Sequence, residues 1–147
     1  MFTVPGRRPD GTPVVTTIRH NGQRRMVTIR LGDTDPFTVF VRGQHIDDLV
    51  EALREGDSLG VPCRHPEYGD WLLGVHPHQW WVNPRAERLP MELYMLLPKD
   101  QQMVVVFTPE QVDELTSKIQ QDGAEAIIDH MSRPTPGREL FGADQCR

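Results

Sequence analysis

Residues 103–123, MVVVFTPEQVDELTSKIQQDG, carry an apolar strand straight into an amphipathic helix with no loop between them. Thr108 stands where an N-cap belongs. Pro109 falls at the first helical position, where its missing N–H costs nothing, and Gln111 completes a Thr-x-x-Gln capping box. Val112, Leu115 and Ile119 recur at i, i+3 and i+7, giving one apolar stripe and leaving Asp113, Glu114, Ser117 and Lys118 off it. Gly123 is expected to end the helix, with 124–131 following as a separate short helix through Ile127, Ile128 and Met131.

A strand, a turn, a second strand and a helix also come earlier in the chain. Phe37 to Val41 reads as a strand, and Gln44 to Glu55 as a helix through Ile46, Leu49, Val50 and Leu53, closed by Gly56. A shift of 66 positions lays Val27, Ile29 and Leu31 on Leu93, Met95 and Leu97 without a gap. The same shift lays Phe37, Val39 and Val41 on Met103, Val105 and Phe107, and Ile46, Leu49 and Leu53 on Val112, Leu115 and Ile119. Asp47 meets Asp113. Few identities accompany this rhythm, so duplication and convergence both remain open. Either way the expected fold class is α+β, an antiparallel sheet built from two β-β-α units that pack their helices on one shared face. The units span 14–56 and 91–123 of a single domain at 14–131, with a Trp-rich hairpin inserted at 59–90. An extended arm (1–13) precedes the domain and a Pro- and Gly-containing tail (132–147) follows it.

Asn21-Gly22 between Val14–His20 and Gln23–Leu31 is the strongest hairpin signal, because both residues tolerate the positive φ of a two-residue turn. Such a turn sets Ile18 opposite Arg25, Thr16 opposite Val27 and Val14 opposite Ile29. It also sets Arg19 against Arg24, and like charges facing each other on a ladder ask for an acid or a phosphate. Residues 1–30 hold six arginines against Asp10 alone, within a chain of net charge −5. This basic end either pairs with acids of its own fold or faces an anionic partner. In the GDTDP turn at 32–36, Asp33 and Asp35 fit backbone-bonding turn residues better than calcium ligands, since no further ligands follow at calcium-loop spacing.

The stretch 59–90 reads as a hairpin, Val61–His65 with Trp71–His76, about Glu67-Tyr68-Gly69-Asp70, then a short strand Trp80–Val82. With Cys63 opposite Gly74 and His65 opposite Leu72, the set Cys63, His76 and His78 is the one that can converge on a zinc ion. Its Cys-x-His and His-x-His spacings match no common finger or ribbon, and titrating surface histidines are the alternative. Adjacent Trp80 and Trp81 must point to opposite faces of a strand, so at most one fits the core, and the other either anchors a partner beside Arg85 or is covered by loops or the C-terminal segment. Leu140 and Phe141 form a second apolar pair, inside the polar tail.

The 147 residues are 37% hydrophobic, enough for one ordinary core. No apolar run reaches the roughly 20 residues of a membrane helix, and the N-terminus lacks the apolar core of a leader peptide, so a cytoplasmic protein without membrane contact is expected. Cys63 and Cys146 are read as free thiols. Only two of the 16 basic residues are lysines, a skew shared with high-GC bacterial and bacteriophage coding. No phosphate-cradling loop, nucleophile elbow or His-Glu-x-x-His occurs, and Cys63 on a strand lacks a helix dipole to acidify it, so neither an enzyme nor a cofactor is expected. Two functions remain. One is a protein-interaction module, homo-oligomeric, using Trp80, Trp81, Arg85, Leu140 and Phe141. The other, placed second because the rest of the chain is acidic, is a nucleic-acid-binding module using Arg19, Arg24 and Arg25.

Overall fold

Alternating burial runs through strand after strand, so each offers one buried face and one outer face. The computed structural model describes residues 1–21, 25–78 and 88–132, the stretch 121–132 by its backbone alone. Its elements are β1 (Phe2–Arg7), β2 (Pro13–Asn21), β3 (Met26–Leu31), β4 (Thr38–Arg42), α1 (Gln44–Glu55), β5 (Leu59–His65), β6 (Gly69–Pro77), β7 (Met91–Leu97), β8 (Gln101–Phe107) and α2 (Pro109–Ser132). Each strand pairs antiparallel with the next and β8 returns to β1, so the mixed α+β fold is a closed eight-stranded barrel with two helices.

Closure is uneven. Hairpins β1–β2, β2–β3, β5–β6 and β7–β8 each register six or seven residue pairs. β4 meets β5 at Phe40 and Arg64 only, and β8 meets β1 at Val106 and Arg7 only. Both thin seams involve a strand with an internal proline, Pro5 in β1 and Pro62 in β5, a residue that strands tolerate where one edge is not fully laddered. Each helix covers a seam: α1 lies against β4, β5 and β6, α2 against β8, β1 and β2, and the two helices touch. Their stripes, Ile46, Leu49, Val50 and Leu53 with Val112, Leu115 and Ile119, join the inward residues of all eight strands in one core.

The expected cap of α2 is present in both halves. The Gln111 N–H donates to Thr108 Oγ1 at 3.2 Å and the Thr108 N–H to Gln111 Oε1 at 3.0 Å. α1 ends, as read, on Gly56 in the left-handed region (φ 74°). α2 does not stop at Gly123 but continues to Ser132, because a lone glycine costs a helix only about 1 kcal/mol.

Three further expectations are corrected. Phe2–Arg7, read as part of an arm, is a stave paired along its length with β2. Asn21 is laddered to Met26 and not at the corner of a turn, so Ile18 faces Ile29 and Arg19 faces Thr28; Arg24 lies outside the described residues. That register differs from the expected one by four positions on β3, an even number, so the apolar face survives. In the next hairpin Cys63 faces Trp71 and His65 faces Gly69. Here the shift is odd, and β6 turns its other face inward. The cause is a three-residue corner, Pro66 to Tyr68, followed by Gly69 at φ 76°, the conformation glycine takes most easily. The hairpin is therefore not an insertion between two β-β-α units: β5 and β6 stand in the barrel wall between β4 and β7.

Candidate nucleic-acid interface

Because alternate residues of a strand face opposite ways, the registers fix what the barrel shows to the outside. The outward positions of β1 to β5 hold Arg7, Arg19, Arg30, Arg42 and Arg64 and no Asp or Glu. The outward positions of β6 to β8 hold Asp70 and Glu92 and no Arg or Lys. One half of the wall is thus basic within an acidic chain.

On the basic half the side chains form ordered rungs. Arg19 faces Thr28, Thr28 faces Phe40 and Phe40 faces Arg64, four consecutive strands in line. At strand spacing the rung is about 14 Å long. Beside it run Thr3, Thr17, Arg30 and Thr38, and Asn21, Met26 and Arg42. Arg30 is held by the Asp35 carboxylate and Arg25 lies 3.7 Å from Asp47. Arg19, Arg42 and Arg64 are exposed and have no ion pair among the described residues. Half-buried Phe40 lies between them. At its seam a cleft of about 160 Å3 opens, lined by Phe40, Arg42, His45, Pro62, Cys63, Arg64 and Asp70.

The far end of this seam is pinned by His65, which is 2% exposed. Its Nδ1 accepts from the backbone N–H groups of Glu67 (3.0 Å) and Tyr68 (3.2 Å), which leaves the proton on Nε2 to donate to Pro36 O at 2.7 Å. β5 is thereby tied to the loop that leads into β4.

The zinc set does not assemble. Cys63 points into the barrel, where burial raises its thiol to about 11 and keeps it protonated. His76 points outward and faces Glu92. His76 and His78 instead share that carboxylate, His78 Nδ1 at 2.9 Å and His76 Nδ1 at 3.9 Å. Among the described residues no cluster of three or more His, Cys, Asp or Glu could hold a metal ion. Trp80, Trp81, Arg85, Leu140 and Phe141 lie outside the described residues. Trp71 packs against the core and donates through Nε1 to Leu96 O at 2.9 Å.

Sequence reading placed Arg19 and Arg25 in one basic hairpin but overlooked Arg42, Arg64 and Phe40, which complete the face. A signal was there to be found: FTVPGR of β1 and LGVPCR of β5 share Val-Pro-x-Arg. Among the described residues no helix is long and apolar enough to cross a membrane. Family models, curated proteins and solved structures yield no match to the chain.

Proposed function

We propose that the protein is a non-catalytic nucleic-acid-binding module whose contact surface is the outer wall of β2 to β5. The observation that carries the reading is the set Arg19, Arg42 and Arg64, exposed and without an ion pair among the described residues, on strands whose own outward positions hold no Asp or Glu. Exposed arginines at fixed spacing, with threonine hydroxyls between them, are what a phosphate backbone calls for. The protonated, inward Cys63 supports the non-catalytic part, since a thiol that stays neutral is a poor nucleophile.

The test is titration of the full chain against labelled oligonucleotides over a range of salt. Affinity should fall steeply as salt rises. An Arg19→Ala, Arg42→Ala, Arg64→Ala triple variant should bind far more weakly, with a salt slope reduced by about 2 to 3. Binding that is absent at low salt, or unchanged in the triple variant, would overturn the reading.

We also infer that the chain arose by duplication of a four-strand-and-helix unit. Support comes from the shared Val-Pro-x-Arg and from the seams, since Phe40 opposite Arg64 and Val106 opposite Arg7 occupy corresponding places. The rung Arg19, Thr28, Phe40, Arg64 then has a counterpart in His76, Glu92, Val106, Arg7, itself continuous in register. The counterpart has a carboxylate where the first has Thr28 and no aromatic ring.

A second reading is docking of a protein partner, including a second copy of the chain. Leu72 and Leu96, 58% and 54% exposed on the outer wall, favour it. Weaker self-association or partner capture in a Leu72→Ser, Leu96→Ser variant with intact oligonucleotide binding would separate the two.

A further inference from the structure

We infer that the nucleic acid taken by this wall is single-stranded, with one base stacked on Phe40 at the mouth of the β4–β5 cleft. The inference rests on the nucleic-acid reading above and names the substrate class. Reading a duplex groove takes a protruding helix or two-stranded ribbon that reaches into it. Phe40 does not protrude. It sits mid-rung on a convex barrel wall, level with Thr28 on one side and Arg64 on the other. A ring in that position meets the face of an unstacked base, while the flanking Arg19, Arg42 and Arg64 follow the backbone on either side.

The cleft supplies the second half of the argument. Its lining pairs the donors Arg42 and Arg64 with the acceptor Asp70, beside a seam registered at one residue pair. A phosphate would be repelled by the Asp70 carboxylate. The exocyclic amine or ring N–H of a base would be accepted by it, so the cleft suits a base edge at Asp70, while Arg19, which does not line it, and the exposed Arg42 and Arg64, which do, suit the phosphates alongside. The opposite seam acts as a control within the same chain. There Val106 replaces Phe40, and Glu92, hydrogen-bonded to His78, sits at the place of Thr28. One strand per chain follows.

The experiment compares a mixed-sequence oligonucleotide of about 15 nucleotides, within the span one such site covers, as a single strand and as its blunt duplex. The full chain is used, with Phe40→Ala, Phe40→Leu and Phe40→Trp variants. Phe40→Leu keeps apolar bulk in place should Phe40→Ala disturb the fold, and circular dichroism checks each variant. The single strand should bind at least tenfold more tightly than the duplex. Loss of the ring should weaken it by about tenfold in Phe40→Leu, with the salt slope unchanged, and Phe40→Trp should restore or improve it. Equal or tighter duplex binding, or full affinity in Phe40→Leu, overturns the single-strand inference while salt-steep binding that needs Arg19, Arg42 and Arg64 leaves the broader reading standing. Absence of binding to either form overturns both.

Discussion

Phe40 and Arg64 face each other as the one registered pair across the β4–β5 seam, as Val106 and Arg7 do across the seam between β8 and β1. The barrel is thus two four-stranded meanders, joined edge to edge by little backbone ladder and held by the core beneath. Where the ladder is thin, local opening needs few hydrogen bonds to break.

Native-state hydrogen exchange should therefore show backbone amides at the seam edges of β4 and β5 exchanging faster than those between β2 and β3. The second seam should behave in the same way. Equal protection across β4–β5 and β2–β3 would mean that the seams are as cooperative as the hairpins, and the two-meander description would fail.

His65 is the counterweight to that weakness, since its ring bonds β5 to Pro36 and to its own corner at once. Replacing it with Ala leaves one carbonyl and two N–H groups without their partner in a buried place. The expected cost is about 2–4 kcal/mol, read as a lower midpoint in urea at unchanged slope. A loss below about 0.5 kcal/mol would show that water replaces the imidazole freely.

How much of this was legible in the chain follows from what each pattern encodes. The α2 start and the α1 stop could be read because caps are local: Thr108 and Gln111, or Gly56, need no distant partner. The inward face of β2 and β3 was legible for the same reason, but the register was not, since Asn21-Gly22 suggests a two-residue turn and the fold continues β2 through Asn21. For β5 and β6 a single glycine decided the matter. Taking Gly69 as a mid-turn residue and not as the residue just after the corner moved the pairing by an odd number and put His76 on the wrong face. Barrel closure left no local mark, because Phe40–Arg64 and Val106–Arg7 are contacts between strands that no hairpin joins. The basic wall was hard to read on that account, its arginines being dispersed from Arg19 to Arg64 and only the shared Val-Pro-x-Arg of β1 and β5 hinting at equivalent strands.

Gly74 and Tyr94 offer a test of the outer wall away from the basic face. They are directly paired, and a methyl group on Gly74 would run into the Tyr94 ring. The ring lies flat over the glycine, covering backbone that would otherwise be bare. Gly74→Ala should push the ring off and cost about 1–2 kcal/mol. In a Tyr94→Ala background the same change should be neutral or slightly stabilising, because alanine is the less flexible residue and nothing is left to displace. Additive effects in the double variant would contradict the contact.

Arg88 and Asp113 close the other side of the molecule. The guanidinium grips both carboxylate oxygens, at 2.9 and 2.8 Å, and also donates to Pro109 O at 3.2 Å, so it fastens the chain before β7 to the first turns of α2. Hydrogen bonds from Arg88, and then its charge, hold the Asp113 carboxyl below the usual Asp range. A carboxyl lowered in the folded state adds stability above its unfolded value, about 3.9, and that addition is lost as pH falls through the lower folded value. Arg88→Gln should thus be less stable than the parent at pH 7, by a small margin for so exposed a pair, and the difference should vanish as acid protonates Asp113. Carbon-13 detected titration gives the direct reading: the Asp113 midpoint should rise to that of an ordinary Asp in Arg88→Gln. An unmoved midpoint would show that the pair is too loose in solution to matter.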